Sequence, residues 1–348
     1  MMGRLARSVP FKSGPVLVLH GAVSPEAPPE DQDTLAQAEV IIAALRRRGF
    51  AGARCGTTLD LPALLDRLAS IRPRLVFNLV ESLQGRDSLI HLVPALLDEM
   101  GLPYTGASQA AIYLTTNKLL AKRLLSLHGV PTPPWWEPDN TGGEKPAGGP
   151  WIVKSVSEHA SLGMDDSALA GNEDKLRRAL LARRMRYGGQ WFAECYVEGR
   201  EFNISVLGTE HGPWVLPVAE IAFENFPDGK PRIVGSRAKW EPDSFEYRHT
   251  LRRFLKQQEP GLTDLLTTLS LRCWDLFEIE GYARVDFRVD AFGCPWVLEV
   301  NVNPSLAPDA GFSAAAEQAG IGYDELIGRI VEDALRRGPK TPTPSFMQ

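Results

Sequence analysis

Residues 281–304 restrict the fold of this 348-residue chain more than any other segment. They read GYARVDFRVDAFGCPWVLEVNVNP, and two runs of alternating apolar and polar residues flank residues 291–294. Alternation with a period of two predicts two strands that are joined as a hairpin. With residues 291–294 as the loop, we expect Asp290 to lie opposite Pro295.

The same register gathers the polar residues of both strands on one face, because side chains alternate between the faces of a sheet. Asp286 then lies opposite Glu299, and Arg284 lies opposite Asn301. We expect the apolar residues to share the other face, namely Val285, Phe287, Val289, Leu298 and Val300.

Two carboxylates that are directly opposed on a sheet repel each other. A hard divalent cation would remove this repulsion, and Mg²⁺ typically binds one or two protein carboxylates together with phosphate oxygens and water. Asp286, Glu299 and the amide oxygen of Asn301 therefore predict a site for Mg²⁺, or Mn²⁺, with a nucleotide. The alternative is a solvated face on which Arg284 and Arg288 form ion pairs with the acids.

Two lysines occupy positions that an anion would favour. A helix is predicted from about residue 116 to 128 with Thr115 as its N-cap, and it places Lys118 in the first turn. A cation there opposes the helix dipole by typically ~0.3–1 kcal/mol, which a bound phosphate would reverse. Lys154 ends an apolar strand before residues 158–163, whose backbone N–H groups could bind phosphates. Taken alone, each lysine is more often a solvated surface residue than a phosphate ligand, so neither is assigned on its own pattern.

Two acids, Glu194 and Glu201, flank a predicted strand–turn–strand unit. The extended segment between them could offer backbone groups to an adenine edge, and a carboxylate could bind a ribose. The alternative is a pair of ordinary surface acids.

The rest of the chain indicates an α/β protein of about two or three domains. Strands and helices alternate in the first third, with helices expected at residues 35–48 and 88–100, which predicts a doubly wound parallel sheet. We divide the chain into an N-terminal domain (1–110), a central small subdomain (111–208), a C-terminal mixed-sheet catalytic domain (209–337) and a disordered tail (338–348).

Composition excludes several classes of function. A net charge of −5 gives no basic surface for nucleic acid, and no apolar stretch approaches the ~20 residues of a membrane span. The 4 cysteines have neither metal-ligand nor redox spacing, which favours reduced thiols in the cytoplasm.

These segments together resemble the D-alanine–D-alanine ligase family of ATP-grasp enzymes, and they occur in that family's order from about residue 75 to 336. The matching pieces are GLPYTG (101–106), TNK (116–118), IVK (152–154), EHASLGM (158–164), FAECYVEGREFNISVLG (192–208), AKW (238–240) and the R-x-D…E-x-N-x-x-P pattern of the hairpin.

The resemblance implies the α+β ATP-grasp fold and an ATP-dependent ligase that joins a carboxylate to an amine through an acyl phosphate. It also implies ATP and Mg²⁺ as cofactors, small amino-acid or amine substrates, and a homodimer. The implied roles are phosphate binding for Lys118, Lys154 and Lys239; adenine contacts for Glu194, Tyr196, Val197 and Leu298; ribose binding for Glu201; metal binding for Asp286, Glu299 and Asn301; and catalysis for Arg284, Lys239 and Ser161.

The substrate end departs from the family pattern. Glu26 is an uncertain counterpart of the glutamate that meets the first amino acid, and Trp240 replaces a tyrosine. Ala310 stands where the family has a serine that binds the acceptor carboxylate, and Asp309 precedes it. We therefore expect D-alanine to be a poor acceptor, and the preferred one to lack a carboxylate there or to carry positive charge. The alternatives are a genuine D-alanine–D-alanine ligase and a nucleotide-binding protein without ligase turnover.

Overall fold

The computed structural model describes residues 14–24, 27, 29–137, 149–158, 161–255 and 259–340. Glu26, His159, Ala160 and residues 341–348 of the predicted tail lie outside these ranges. The described chain contains three β-sheets, and the strands of each sheet come from one continuous stretch of the sequence.

The first sheet is parallel and has the order β2-β1-β3. Its elements and the helices that follow them are β1 (Val16–Gly21), α1 (Pro29–Arg47), β2 (Gly52–Thr57), α2 (Leu61–Ile71), β3 (Leu75–Leu79), α3 (Leu92–Glu99), α4 (Gln109–Thr116) and α5 (Lys118–Leu127). Both faces are buried: Leu17 and Val76 pack into one core and Val18 and Phe77 into another, as expected for a doubly wound sheet.

The second sheet is small and antiparallel, with the order β4-β7-β5-β6. It consists of β4 (Trp135–Trp136), β5 (Trp151–Ser155), β6 (Leu169–Ala170) and β7 (Trp191–Cys195), and α6 (Glu173–Tyr187) covers it. Its core is a separate cluster that includes Trp151, Leu176 and Trp191.

The third sheet has the order β11-β10-β8-β12-β13, with β9 also paired to β8. Its strands are β8 (Arg200–Thr209), β9 (Gly212–Val215), β10 (Ala219–Phe223), β11 (Thr250–Phe254), β12 (Tyr282–Val289) and β13 (Pro295–Asn301). The accompanying helices are α7 (Ser236–Trp240), α8 (Phe245–His249), α9 (Pro260–Leu276), α10 (Gly311–Gln318) and α11 (Tyr323–Arg337).

Every pairing in this third sheet is antiparallel within the described ranges, so the prediction of a mixed sheet was wrong for this region. The short connections β8–β9 and β12–β13 explain the difference, because only antiparallel neighbours can be joined by tight turns. β8 pairs in this sheet although we assigned it to the central region, and the domain boundaries stay a prediction.

The predicted register of the hairpin β12–β13 is confirmed from Arg284 to Asp286 and is wrong between Phe287 and the loop. Asp286 lies opposite Glu299, but a bulge follows, and Phe287 lies opposite Val297. Val297 therefore replaces Leu298 in the core. Asp290 is not paired with Pro295: its carboxylate accepts hydrogen bonds from backbone N–H groups of the turn, so the loop is one residue longer than predicted.

Three predicted helix starts were also wrong. The helix predicted at 35–48 begins earlier, at Pro29. Thr115 lies inside α4, where its hydroxyl donates to the carbonyl of Ala111, and the N-cap of α5 is Asn117. The helix predicted at 88–100 contains α3 only from Leu92, because Pro94 lacks an N–H group and is tolerated only in a first turn.

The helices of the described chain include none that is long and apolar enough to cross a bilayer.

We expect Leu326→Ala to lower the free energy of unfolding by about 2–5 kcal/mol, because a cavity would open in the core between α11 and the parallel sheet. Leu326 is fully buried, whereas Leu181 on α6 is 59% exposed. Leu181→Ala should therefore change stability by no more than about 0.5 kcal/mol. Urea unfolding of both variants checks this, and equal losses would contradict the assigned core.

Candidate nucleotide and metal site

The start of α5 places Lys118 beside the hairpin. The Asn117 side chain accepts a hydrogen bond from the N–H of Leu120 and so caps the helix. The Lys118 ammonium donates to the carbonyl of Glu158 (2.9 Å) and lies 3.5 Å from Oε1 of Glu299. The predicted phosphate lysine and one predicted metal ligand are therefore neighbours.

A buried cluster of three charges lies between α5 and the small sheet. Glu194, on β7, is 1% exposed; Oε2 lies 2.9 Å from Nζ of Lys122, and Oε1 contacts Nζ of Lys154. Burial raises the pKa of the Glu194 carboxyl, but the two ammonium groups outweigh it and hold the pKa below its ordinary value. The structure thus joins Lys154 and Glu194, which the sequence could only treat separately.

Lys122 is the residue of this cluster that sequence reasoning missed. It is 2% exposed, and burial lowers the pKa of its ammonium group although the Glu194 charge opposes this. A signal was present: Lys118, Ala121, Lys122 and Leu125 have the i, i+3, i+4, i+7 spacing of one buried helix face.

The opposed carboxylates of the hairpin each have a cation within reach. The Arg284 guanidinium donates to both oxygens of Asp286 (2.7 and 2.8 Å), and the Asn203 side chain donates to Oδ1 (2.8 Å). Burial lowers the pKa of Arg284, but Asp286 and Glu299 more than reverse this. The ion pair between Arg284 and Asp286, which the solvated-face alternative predicted, is therefore present, and so is the opposed pair Asp286–Glu299.

Lys239, on α7, is a further cation near the two acids of the hairpin. Its side chain is accessible to solvent, yet it lies within the electrostatic field of Arg284, Glu299 and Asp286. Desolvation by the surrounding protein, followed by repulsion from Arg284, lowers the pKa of its amine. A cation held in this way would be stabilised by an anionic phosphate.

Arg288 organises the predicted adenine and ribose segment. It is 3% exposed, and its Nε donates to Oε2 of Glu201 (3.0 Å). Its Nη1 donates to the Val197 carbonyl (3.4 Å), and its guanidinium lies 5.3 Å from the ring centroid of Tyr196. Glu201 is therefore an ion-paired acid in this structure, and its ribose role stays a prediction.

Ser161 lies in the loop after β5, and its φ of 62° is in the left-handed region. Its hydroxyl donates to the carbonyl of Val234 (2.9 Å), which ties this loop to the segment before α7. The loop thus lies next to the residues that carry Lys239.

The donor set of the hairpin fits Mg²⁺, because Asp286, Glu299 and Asn301 offer hard oxygen atoms on neighbouring positions of one face. Within the described ranges, no cluster of three or more His, Cys, Asp or Glu side chains is arranged to hold a metal. Mg²⁺ sites with phosphate need only one or two carboxylates.

The surroundings of Asp309 and Ala310, where the acceptor was expected to bind, include a cation that the sequence did not indicate. Ala310 is the N-cap residue of α10 and makes no side-chain hydrogen bond there. Both terminal nitrogens of Arg252 lie close to the carbonyl oxygen of Asp309 (3.3 and 3.4 Å). The side chain of Arg252 is exposed, yet desolvation by the nearby protein, followed by repulsion from Arg284, lowers its pKa. A cation therefore already lies beside Asp309, which removes the reason to expect a cationic acceptor.

A separate cavity of about 490 Å³ opens at the edge strand β2, where His20, Arg54 and Arg67 line it. None of the residues assigned above to nucleotide or metal lines this cavity. It is therefore distinct from the candidate site.

Comparisons with known proteins bear on the family. The model of the D-ala D-ala ligase C-terminus matches residues 140–332. The D-alanine–D-alanine ligase of Stutzerimonas stutzeri is 30% identical over 342 residues, which cover 97% of this chain and all (100%) of that protein. An uncharacterized protein of Sinorhizobium fredii, y4sG, is 31% identical over 306 residues, or 86% of this chain and 88% of that protein.

Among solved structures, the D-alanine–D-alanine ligase of Bacillus anthracis complexed with ATP is similar to this fold. The TM-score is 0.71 at 23% identity, and the match covers 93% of this chain and 98% of that chain. These matches confirm the family and the fold predicted from the ordered motifs.

We expect Glu299→Gln to raise the Mg²⁺ concentration that half-saturates ADP formation and to lower turnover strongly, because one anionic ligand is lost. Its stability should change by less than about 1 kcal/mol, since Glu299 is partly exposed. Asp286→Asn should have the same kinetic effect but cost about 1–3 kcal/mol of stability, because its contacts with Arg284 and Asn203 are disrupted. Unchanged Mg²⁺ dependence in both variants would contradict the metal assignment.

Proposed function

We propose a function from the premise that this chain belongs to the D-alanine–D-alanine ligase family of ATP-grasp enzymes: it uses Mg·ATP to join an amino-acid carboxylate to an amine that itself carries a carboxylate. The observation that carries the proposal is the convergence of Lys118, Lys239 and Arg284 on the paired acids Asp286 and Glu299.

The chemistry needs this arrangement because a free carboxylate has no good leaving group. In the proposed reaction, a carboxylate oxygen attacks the γ-phosphorus of ATP, ADP leaves, and an acyl phosphate forms. The amine then attacks the acyl carbon, phosphate leaves, and the amine loses a proton. Mg²⁺ would supply charge neutralisation at the phosphates when it is bound.

The protein's own residues have separate tasks in this scheme. Lys118, Lys154 and Lys239 orient the phosphates and neutralise their charge. Arg284 faces the reacting carboxyl group, where a guanidinium stabilises the oxyanion that builds up during attack by the amine. The acyl phosphate must also be kept from water, which would otherwise hydrolyse it.

Arg252 supports an amine substrate with a carboxylate. A carboxylate that leaves water needs charged or hydrogen-bonding donors, and the methyl group of Ala310 offers none. The Arg252 guanidinium lies at Asp309 and within the electrostatic range of Arg284. We therefore assign the acceptor carboxylate to Arg252, and we expect an acceptor that carries a carboxylate in place of a cationic one.

The remaining parts of the proposal follow from the family. The substrates are small molecules, and ATP is available in the cytoplasm, where we propose that the chain works. A homodimer stays a prediction.

The test is ADP release across a panel of D- and L-amino acids and simple amines, with mass spectrometry of the products. We expect ADP release that depends on both substrates, and amide products only with amines that carry a carboxylate. Arg252→Met should raise KM for the amine at least about tenfold, as expected for loss of one charge-assisted contact, without changing KM for ATP.

Arg253→Met is the matched control, because Arg253 is the next residue on β11 and pairs with Glu224 instead. It should leave both KM values unchanged. Efficient use of amines without a carboxylate, or equal effects of the two variants, would contradict the acceptor assignment. ADP release that no amine stimulates would contradict the ligase reaction itself.

A further inference from the structure

The cluster of Lys122, Glu194 and Lys154 has two ammonium groups and one carboxylate, and the two lysines are not equivalent. The Lys122 side chain is 2% exposed, whereas the Lys154 side chain is 15% exposed. Lys154 lies on β5, next to the loop that is proposed to bind phosphates, while Lys122 lies on the inner side of α5. Lys154 is therefore the lysine that is placed to leave Glu194 and bind a ligand.

Lys122 is fixed by three acceptors. Its ammonium donates to Oγ1 of Thr132 (2.7 Å) and to the carbonyl of Pro133 (2.9 Å), and it lies 2.9 Å from Oε2 of Glu194. The Thr132 hydroxyl donates its own hydrogen to the carbonyl of Val297 on β13, so its oxygen must accept from Lys122. These two hydrogen bonds and the ion pair account for the three N–H groups of a protonated lysine, and a displaced Lys122 would lose all three contacts.

Lys154 has a simpler set of contacts. In the described part of the chain its ion-pair partner is Glu194, through Oε1. When Lys154 turns to a phosphate, Glu194 loses one of two cations but keeps the other. The remaining cation is needed because a carboxylate that is 1% exposed and has no cation nearby strongly destabilises the folded protein.

We propose that Lys122 is a positioning residue that keeps Glu194 neutralised and thereby allows Lys154 to leave Glu194 and bind a nucleotide phosphate. Without Lys122, the departure of Lys154 would leave the Glu194 charge buried and unpaired. Lys154 would then stay on Glu194, and the nucleotide would lose a phosphate contact. The role of Lys154 in this argument rests on the proposed function, whereas the role of Lys122 goes beyond it.

The test is calorimetric binding of Mg·ATP to four proteins: wild type, Lys122→Met, Glu194→Gln and the double variant Lys122→Met/Glu194→Gln. We expect Lys122→Met to weaken binding at least about tenfold, the scale of one lost charge-assisted contact. In the double variant no charge holds Lys154 back, so its affinity should match that of Glu194→Gln within about threefold. KM for ATP should follow these affinities, while kcat at saturating ATP changes less.

Lys175→Met is the matched control, because Lys175 is an exposed lysine on α6, and it should bind as wild type does. Wild-type affinity in Lys122→Met, or a double variant weaker than Glu194→Gln, would overturn the proposal. The comparison of the double variant with Glu194→Gln decides the matter even if Lys122→Met does not fold. No binding by the wild-type chain would instead contradict the proposed function, and this inference with it.

Discussion

The opposition of Asp286 and Glu299 across the hairpin is the constraint on which the rest of the site depends. Two carboxylates at directly paired positions are unfavourable unless cations surround them. Arg284 neutralises one from within the same strand, and Lys118 approaches the other from a helix start. Lys239, on α7, interacts electrostatically with Arg284 and with both acids. With these cations in place, Asp286 and Glu299 would hold Mg²⁺ through their oxygens, and the ion would supply charge neutralisation at the phosphates.

The charged residues of the site lie on regular strands and helices, which fix their positions relative to one another. The large sheet holds both acids in register, the small sheet carries Lys154 and Glu194, and the end of α4 and α5 positions Lys118 through the Asn117 cap. The chain turns from α5 into the small sheet at Thr132, which is bonded to Lys122 on one side and to β13 on the other. Hydrogen bonds through Thr132 thus connect Lys122, the partner of Glu194, to the backbone of the strand that carries Glu299.

Local patterns were enough to predict the hairpin and the pairing of Asp286 with Glu299, because both depend on the period of a strand. The phosphate roles of the lysines stay a prediction, because they rest on the resemblance to the family. The bulge that moves Leu298 out of the core could not be predicted, since it depends on how the sheet packs. Lys122 was missed because a lysine in a helix is usually solvated, and its three acceptors come from distant segments. The contact of Arg252 with Asp309 likewise joins residues that are far apart in sequence.

The central claim is that the chain activates a carboxylate by phosphoryl transfer, and an oxygen label tests this most directly. The carboxylate substrate of the best pair is labelled with ¹⁸O in both oxygens and is incubated with the protein, Mg·ATP and the amine. If an acyl phosphate forms, one labelled oxygen leaves with the phosphate, and mass spectrometry finds inorganic phosphate with one ¹⁸O atom for each amide formed. Unlabelled phosphate released together with amide would contradict the claim.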